Sequence, residues 1–211
     1  WSNQLIAFLE QVVEASKQER AVLVGNSLGS LIALTTVVKK PELIAALIAA
    51  PLPDPAFMNK SSFELPKWMA RVRDFLTYVF FRLIPLEVLI PLISRTFLIK
   101  LALQAAYVRP IDADKELQRL ISKPAKKSSA ARTLRAMCVG MARRNWSDTA
   151  PFLLDRLGEI PNRPPMLLLW GRQDRFVPIF IGEKLLQKHP WLELSILENT
   201  GHCPHDESSE I

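Results

Sequence analysis

An apolar, β-branched run at 21–24 leads straight into Gly25-Asn26-Ser27-Leu28-Gly29, and a second apolar run follows at once. A chain that passes from strand to helix through so short a turn must hold the serine in a strained backbone conformation, and glycines two residues before and after it are expected to keep side chains from colliding with the flanking strand and helix. Such a turn lifts the Ser27 hydroxyl above the sheet edge and aims the Leu28 amide at the place where an oxyanion would form. The chain has only seven glycines, and this turn takes two of them.

Two further stretches have related endings. PMLLLWGRQDRFVP at 165–178 reads as a buried strand closing in Trp170-Gly171 and then a loop carrying Asp174; LELSILENTGHCPHDE at 192–207 reads as another strand, closing in Gly201-His202. Ser27, Asp174 and His202 all fall just past the C-terminal ends of predicted strands, where open α/β sheets bind their ligands. Asp54 competes for the acid position, because it follows the apolar strand expected at 43–50. Prolines on both sides of it favour a structural turn, so Asp174 is preferred.

A length of 211 residues suits one domain with an insertion. No uncharged apolar run reaches the length of a transmembrane helix, and nothing at the N-terminus resembles a signal or transit peptide. Cys138 and Cys203 make no metal or redox spacing, which favours free thiols in a reducing compartment. His189, His202 and His205 show no metal-ligand spacing, so no metal and no cofactor are expected. His189, at a helix end before Pro190, is read as a cation favouring the helix dipole. The net charge of +6 is uneven: residues 52–150 hold 17 Lys and Arg against 8 Asp and Glu, and the remainder 10 against 13. No nucleic-acid motif accompanies that basic stretch, and its strong apolar content makes an anionic membrane surface the better partner.

Along the chain, the periodicity predicts an amphipathic helix over 2–19, a strand at 21–25, a helix over 28–39 stopped by Pro41, and a strand at 43–50 covered on both faces. From 56 to 150 helical segments are broken by prolines at 66, 85, 91, 110 and 124, and the segment 75–107 is apolar on more than one face. Such helices must be buried or meet lipid. The expected division is a core at 1–55, a helical lid at 56–150 and a resumed core at 151–211, with a strand near 165, a helix over 179–188, a strand and the histidine loop.

The strings LVGNSLGS at 23–30, APLPDPA at 50–56, LLLWGRQDRFVP at 167–178 and GHCPHDE at 201–207 resemble the α/β-hydrolase superfamily, whose chain order is nucleophile, acid, base. The last string is similar to the cyanobacterial and chloroplast group that includes pheophytinase. The resemblance implies an α/β fold, a mostly parallel sheet flanked by helices with a helical lid, seen here in its C-terminal part. The sequence is expected to begin at the helix before the superfamily's fifth strand, so that the earlier strands and the second oxyanion donor lie outside it. The resemblance implies a nucleophile at Ser27, an acid at Asp174 and a base at His202, without a metal; beside these the Leu28 amide is the expected oxyanion donor, and Asn26 and Trp170 are the expected substrate contacts. Ser30 stands where many relatives have a second glycine, and little effect is expected of it.

The implied activity is hydrolysis of an ester of a hydrophobic small molecule through an acyl-enzyme on Ser27, in a cyanobacterial cytoplasm or a chloroplast and in peripheral contact with a membrane. The serine argues against dehalogenase and epoxide hydrolase chemistry, which uses an aspartate in that place. Carbon–carbon hydrolase, thioesterase and haloperoxidase activities share the triad, and a non-catalytic pigment- or lipid-binding protein of the same fold stays open beside them.

Overall fold

The computed structural model describes residues 1–59, 65–93, 96–111 and 114–208. They group into two compact units, Trp1–Asn59 with Ala106–Val108 and Ser147–Ile211, and Lys60–Ala105 with Arg109–Trp146.

The first unit is built on four parallel strands in the order β1 (Ala21–Asn26), β2 (Ile44–Ala50), β3 (Met166–Gly171) and β4 (Glu193–Leu197). Parallel neighbours need crossovers. Between β1 and β2 the crossover is α2 (Leu28–Lys39), which buries Leu31, Leu34 and Val37. Its last turn carries Lys39, which suits the negative end of the helix dipole. A short 3-10 helix opened by Pro41 then starts the approach to β2. Strand β2 is apolar throughout and mostly enclosed, as a strand covered on both faces must be. Helix α8 (Ala150–Glu159) packs on α2, with Leu153, Leu154 and Leu157 buried. Helix α9 (Ile179–Lys188) joins β3 to β4 and lays Gly182 against the Trp170 ring, where a Cβ would lie 2.9 Å from the indole.

The first helix is shorter than its periodicity predicts. It runs only over Ser2–Gln11, with Leu9 its one buried residue. Beyond it Glu14 takes a left-handed conformation (φ 57°). The Ser16 hydroxyl accepts the Glu19 amide at 3.2 Å, while the Ser16 amide donates to the Glu19 carbonyl at 3.0 Å. A serine that satisfies nearby backbone in this way offers the chain an alternative to continuing the helix.

The second unit is helical: α3 (Lys67–Leu83), α4 (Leu86–Ile93), α5 (Thr96–Ala106), α6 (Lys115–Ala125) and α7 (Ala130–Ala142). Helix α7 packs on α3, α4 and α6. The Asp114 carboxylate caps α6 by accepting the Leu117 amide at 2.9 Å. Pro85 and Pro110 lie between helices and Pro66 caps α3, as expected of breakers, but Pro91 and Pro124 sit inside α4 and α6. Pro124 comes one residue before the end of its helix. Pro91 lies in the second turn of α4, where its ring displaces one amide of a short helix. Residue Arg135 of α7 ties three elements together. Its guanidinium donates to the carbonyls of Phe81 and Ile84 at 2.8 and 3.2 Å, satisfying backbone at the end of α3, and to the Glu87 carboxylate at 2.7 and 3.0 Å. That partner pulls the Glu87 carboxyl down to about 2.

Candidate active site

Ser27 stands between β1 and α2 with φ 53° and ψ −121°, a left-handed backbone that a non-glycine residue adopts only when its surroundings enforce it. The enforcement is visible. Its amide donates to the Ala50 carbonyl of β2 at 3.2 Å, and its carbonyl accepts the Ser30 amide at 2.8 Å. A Cβ on Gly25 would lie 2.6 Å from the backbone of Gly29 and Ser30, so only glycine allows helix and strand to approach so closely. Gly29 differs from expectation, because a Cβ there would meet nothing within 4 Å and its φ is not positive. Its presence is not a steric requirement of the turn.

Ser30 also does more than stay small. It is fully buried, and its hydroxyl donates to the Gly25 carbonyl at 2.7 Å while accepting the Ala50 amide at 3.1 Å. One side chain thereby sutures β1, β2 and the first turn of α2. Leu28 is the first residue of α2, a position whose amide has no acceptor within the helix and stays available to a ligand.

The acid and base positions meet directly. His202 Nδ1 lies 2.9 Å from Asp174 Oδ2, and the Asp174 side chain is wholly enclosed. The other carboxylate oxygen, Oδ1, accepts the amides of Phe176 and Val177 at 2.8 and 2.9 Å. Those two bonds fix the carboxylate so that Oδ2 faces the imidazole, which sets the proton on Nδ1 and leaves Nε2 as the basic nitrogen. The Phe176 ring meets the imidazole edge to face at 5.1 Å. The Asp54 oxygens accept the amides of Ala56 at 3.0 Å and Ala150 at 2.8 Å, the latter at the start of α8, as a turn-stabilising side chain does.

The serine turn is joined to the histidine loop by Asn26. Its side-chain nitrogen donates to the Ala50 carbonyl at 2.5 Å and to the carbonyl of His202 itself at 3.1 Å. Asn26 is expected to contact substrate; in the structure both protons of its side-chain amide are committed to main chain, so it also ties the serine turn to the histidine loop. Trp170 likewise differs from its expected role. It is fully buried, with its indole N–H donating to the Val177 carbonyl at 2.8 Å, so it braces the loop that carries Asp174.

Several residues to which the sequence motifs give no role hold the histidine loop. The His202 amide donates to Ala106 at 2.7 Å, and the Glu207 carboxylate accepts the amides of Gly201 at 2.6 Å and Val108 at 2.5 Å. A Cβ on Gly201 would lie 2.3 Å from the Ala106 carbonyl, and one on Gly171 would lie 2.1 Å from the Gly201 carbonyl. These glycines permit the close approach of three backbone segments. Burial pushes the Tyr107 phenol far above its ordinary value, aided by the neighbouring Cys203 thiol and Asp206, and burial also raises the Cys203 thiol. Both therefore stay protonated. Among the described residues no group of His, Cys, Asp and Glu could hold a metal ion.

Known proteins share this arrangement of strands and helices. The chain is 25% identical over 206 residues to the uncharacterized hydrolase YugF of Bacillus subtilis (strain 168), an alignment covering 95% of this chain and 65% of the relative. It is 44% identical over 55 residues to 2-hydroxy-6-oxononadienedioate/2-hydroxy-6-oxononatrienedioate hydrolase 2 of Pseudomonas putida, covering 26% of this chain and 18% of that protein. A meta-cleavage product hydrolase from Pseudomonas fluorescens IP01 superposes with a TM-score of 0.64 at 16% identity, over all of this chain and 66% of that structure. The chain thus spans slightly under two thirds of the length of YugF and of that structure. The family described as alpha/beta hydrolase fold matches residues 3–209, and the chain belongs to it.

Proposed function

We propose that this chain carries the catalytic residues of a serine hydrolase that cleaves esters of hydrophobic compounds. The observation that carries the reading is the Asp174–His202 pair at 2.9 Å, tied through Asn26 to the strained turn of Ser27. In this mechanism His202 Nε2 takes the Ser27 proton as the oxygen attacks the ester carbonyl, and Asp174 stabilises the imidazolium that results. The Leu28 amide donates to the developing oxyanion. Collapse expels the alcohol with the proton from His202, leaving an acyl-serine; a water molecule, deprotonated by the same imidazole, then releases the acid and restores the serine.

The likeness of GHCPHDE to the pheophytinase group supports esters of long hydrophobic alcohols, such as phytyl esters, as the substrate class and a cyanobacterial or chloroplast setting. Apolar side chains on α3, including Trp68, Phe75 and Leu83, are well exposed beside Arg71 and Arg82, which supports peripheral contact with an anionic membrane. No described helix is long and apolar enough to cross one.

A second reading is carbon–carbon bond hydrolysis, favoured by the 44% identity to the Pseudomonas putida dienedioate hydrolase over 55 residues. The test combines covalent labelling with substrate profiling. An organophosphonate should label Ser27, and turnover should be compared on phytyl, long-chain acyl and dienoate substrates. Turnover confined to dienoates would replace the ester reading by the second one, and absence of labelling would remove the serine mechanism.

A further inference from the structure

The helical unit carries an open cavity of its own. It has a volume of about 670 Å³ and lies wholly among α4, α5, α6 and α7. Ile90, Ile99, Leu103, Leu134 and Met137 line its body. Polar groups enter its lining together, as Lys127, Ser129 and Thr133 at the turn from α6 to α7 and the start of α7. The size is that of a small-molecule site, and an apolar body with a few convergent polar groups is what such sites present.

The charge around that turn selects the kind of occupant. Between residues 117 and 147 the chain carries eight Lys and Arg and not one Asp or Glu. Lys127 makes no ion pair among the described residues. A cationic amphiphile would be repelled here, and a wholly apolar molecule would leave Lys127, Ser129 and Thr133 without a use. We infer that the cavity binds a long-chain fatty acid, with its alkyl tail among the aliphatic side chains and its carboxylate at Lys127, Ser129 and Thr133. A long-chain acid is also a product class of ester hydrolysis, but the inference rests on the helical unit alone and does not require Ser27 to be a nucleophile.

The test is displacement of fluorescent cis-parinaric acid from the intact protein, in wild-type and Ser27→Ala forms. Palmitate should displace the probe from both, and shortening the acid should weaken displacement by up to about fourfold per methylene removed. Hexadecyltrimethylammonium, with a similar tail and opposite charge, should displace it poorly. Lys127→Glu, at an exposed position where the fold has nothing to lose, should weaken palmitate by about fivefold. Ala102→Trp, which fills the cavity, should abolish binding, with circular dichroism reporting that the helices persist. Equal displacement by the cationic amphiphile would overturn the assignment of a carboxylate. Unchanged palmitate binding in both cavity variants would overturn the site. Loss of esterase activity in Ser27→Ala with fatty-acid binding intact is the expected pattern, whereas an inactive wild type that still binds palmitate would remove the hydrolase reading alone.

Discussion

Gly25 and Gly29 look equivalent in the sequence, and the structure separates them. Gly25→Ala drives a methyl group into backbone and should cost about 3 kcal/mol or more, read as a lowered urea midpoint. Gly29→Ala, with open space and ordinary helical backbone, should stabilise α2 by about 0.5–1 kcal/mol. Destabilisation by Gly29→Ala comparable to that of Gly25→Ala would show that the glycine pattern is steric at both positions. Asn26 offers a second discrimination. As a tie to the His202 carbonyl, its replacement by alanine should lower kcat about tenfold to a hundredfold with KM unchanged, because a displaced base is a misaligned base. A rise in KM at unchanged kcat would return Asn26 to substrate contact. Ser27→Ala should lower turnover by about 10⁶ and leave the fold intact; retention of a tenth of the activity would exclude the serine route. Positions of Ser27, Asp174 and His202 are legible in the sequence because each follows an apolar strand within a short motif. Glu207 and the carbonyl of Ala106 are not, because their role is to bind main-chain amides, and a backbone hydrogen bond can be made by almost any neighbour in space.

At the scale of elements, the strands and the helices between them follow from apolar runs and their stops, and β1 through β4 lie where such runs predict. What periodicity misses is competition from local turns. The 2–19 pattern continues past the real end of its helix at Gln11 because Val12 and Val13 keep the apolar spacing, although both are exposed and the chain has already turned toward Glu14. The end of α9 shows a similar reversal. His189 reads as a dipole-compensating cation, yet its side chain is enclosed and its Nε2 has no hydrogen-bond partner among the described residues. Burial, with the Lys188 charge, holds its pKa below the ordinary histidine value, and Asp155, 3.6 Å away, only partly offsets this. The unfolded chain therefore takes up a proton near pH 6.5 that the native chain refuses until lower pH. Stability contributed by neutral His189 is complete above that range and falls as pH drops through it. The urea midpoint of wild type should decline from pH 7.5 to 5.5 more steeply than that of His189→Phe; parallel declines would assign the effect to other groups. In the helical unit, Arg135→Met should release the end of α3 and Glu87 together. Limited proteolysis should then cut within 67–93 before it cuts the sheet, and unchanged resistance would show the three-way tie to be dispensable.

On the scale of the molecule, the basic charge gathered in residues 52–150 and the exposed apolar side chains of α3 predict binding to anionic vesicles, worth about 1 kcal/mol for each basic residue near the surface and weaker as salt rises. Equal co-sedimentation with neutral vesicles would leave only the apolar contribution. A different property follows from the short stretch Ala106–Val108. It belongs to the sheet-bearing unit, although the chain on both sides of it belongs to the helical one. The polypeptide consequently crosses from one unit to the other four times, and the middle visit supplies the carbonyl that receives His202 and an amide that Glu207 holds. The helical region is therefore not a cassette. Lifting out everything between the strand-bearing segments, as one would to trade helical regions among relatives, would also remove a stitch from beneath His202. A chimera that keeps residues 106–108 in register inherits a supported histidine; one that swaps the region whole must evolve that support again.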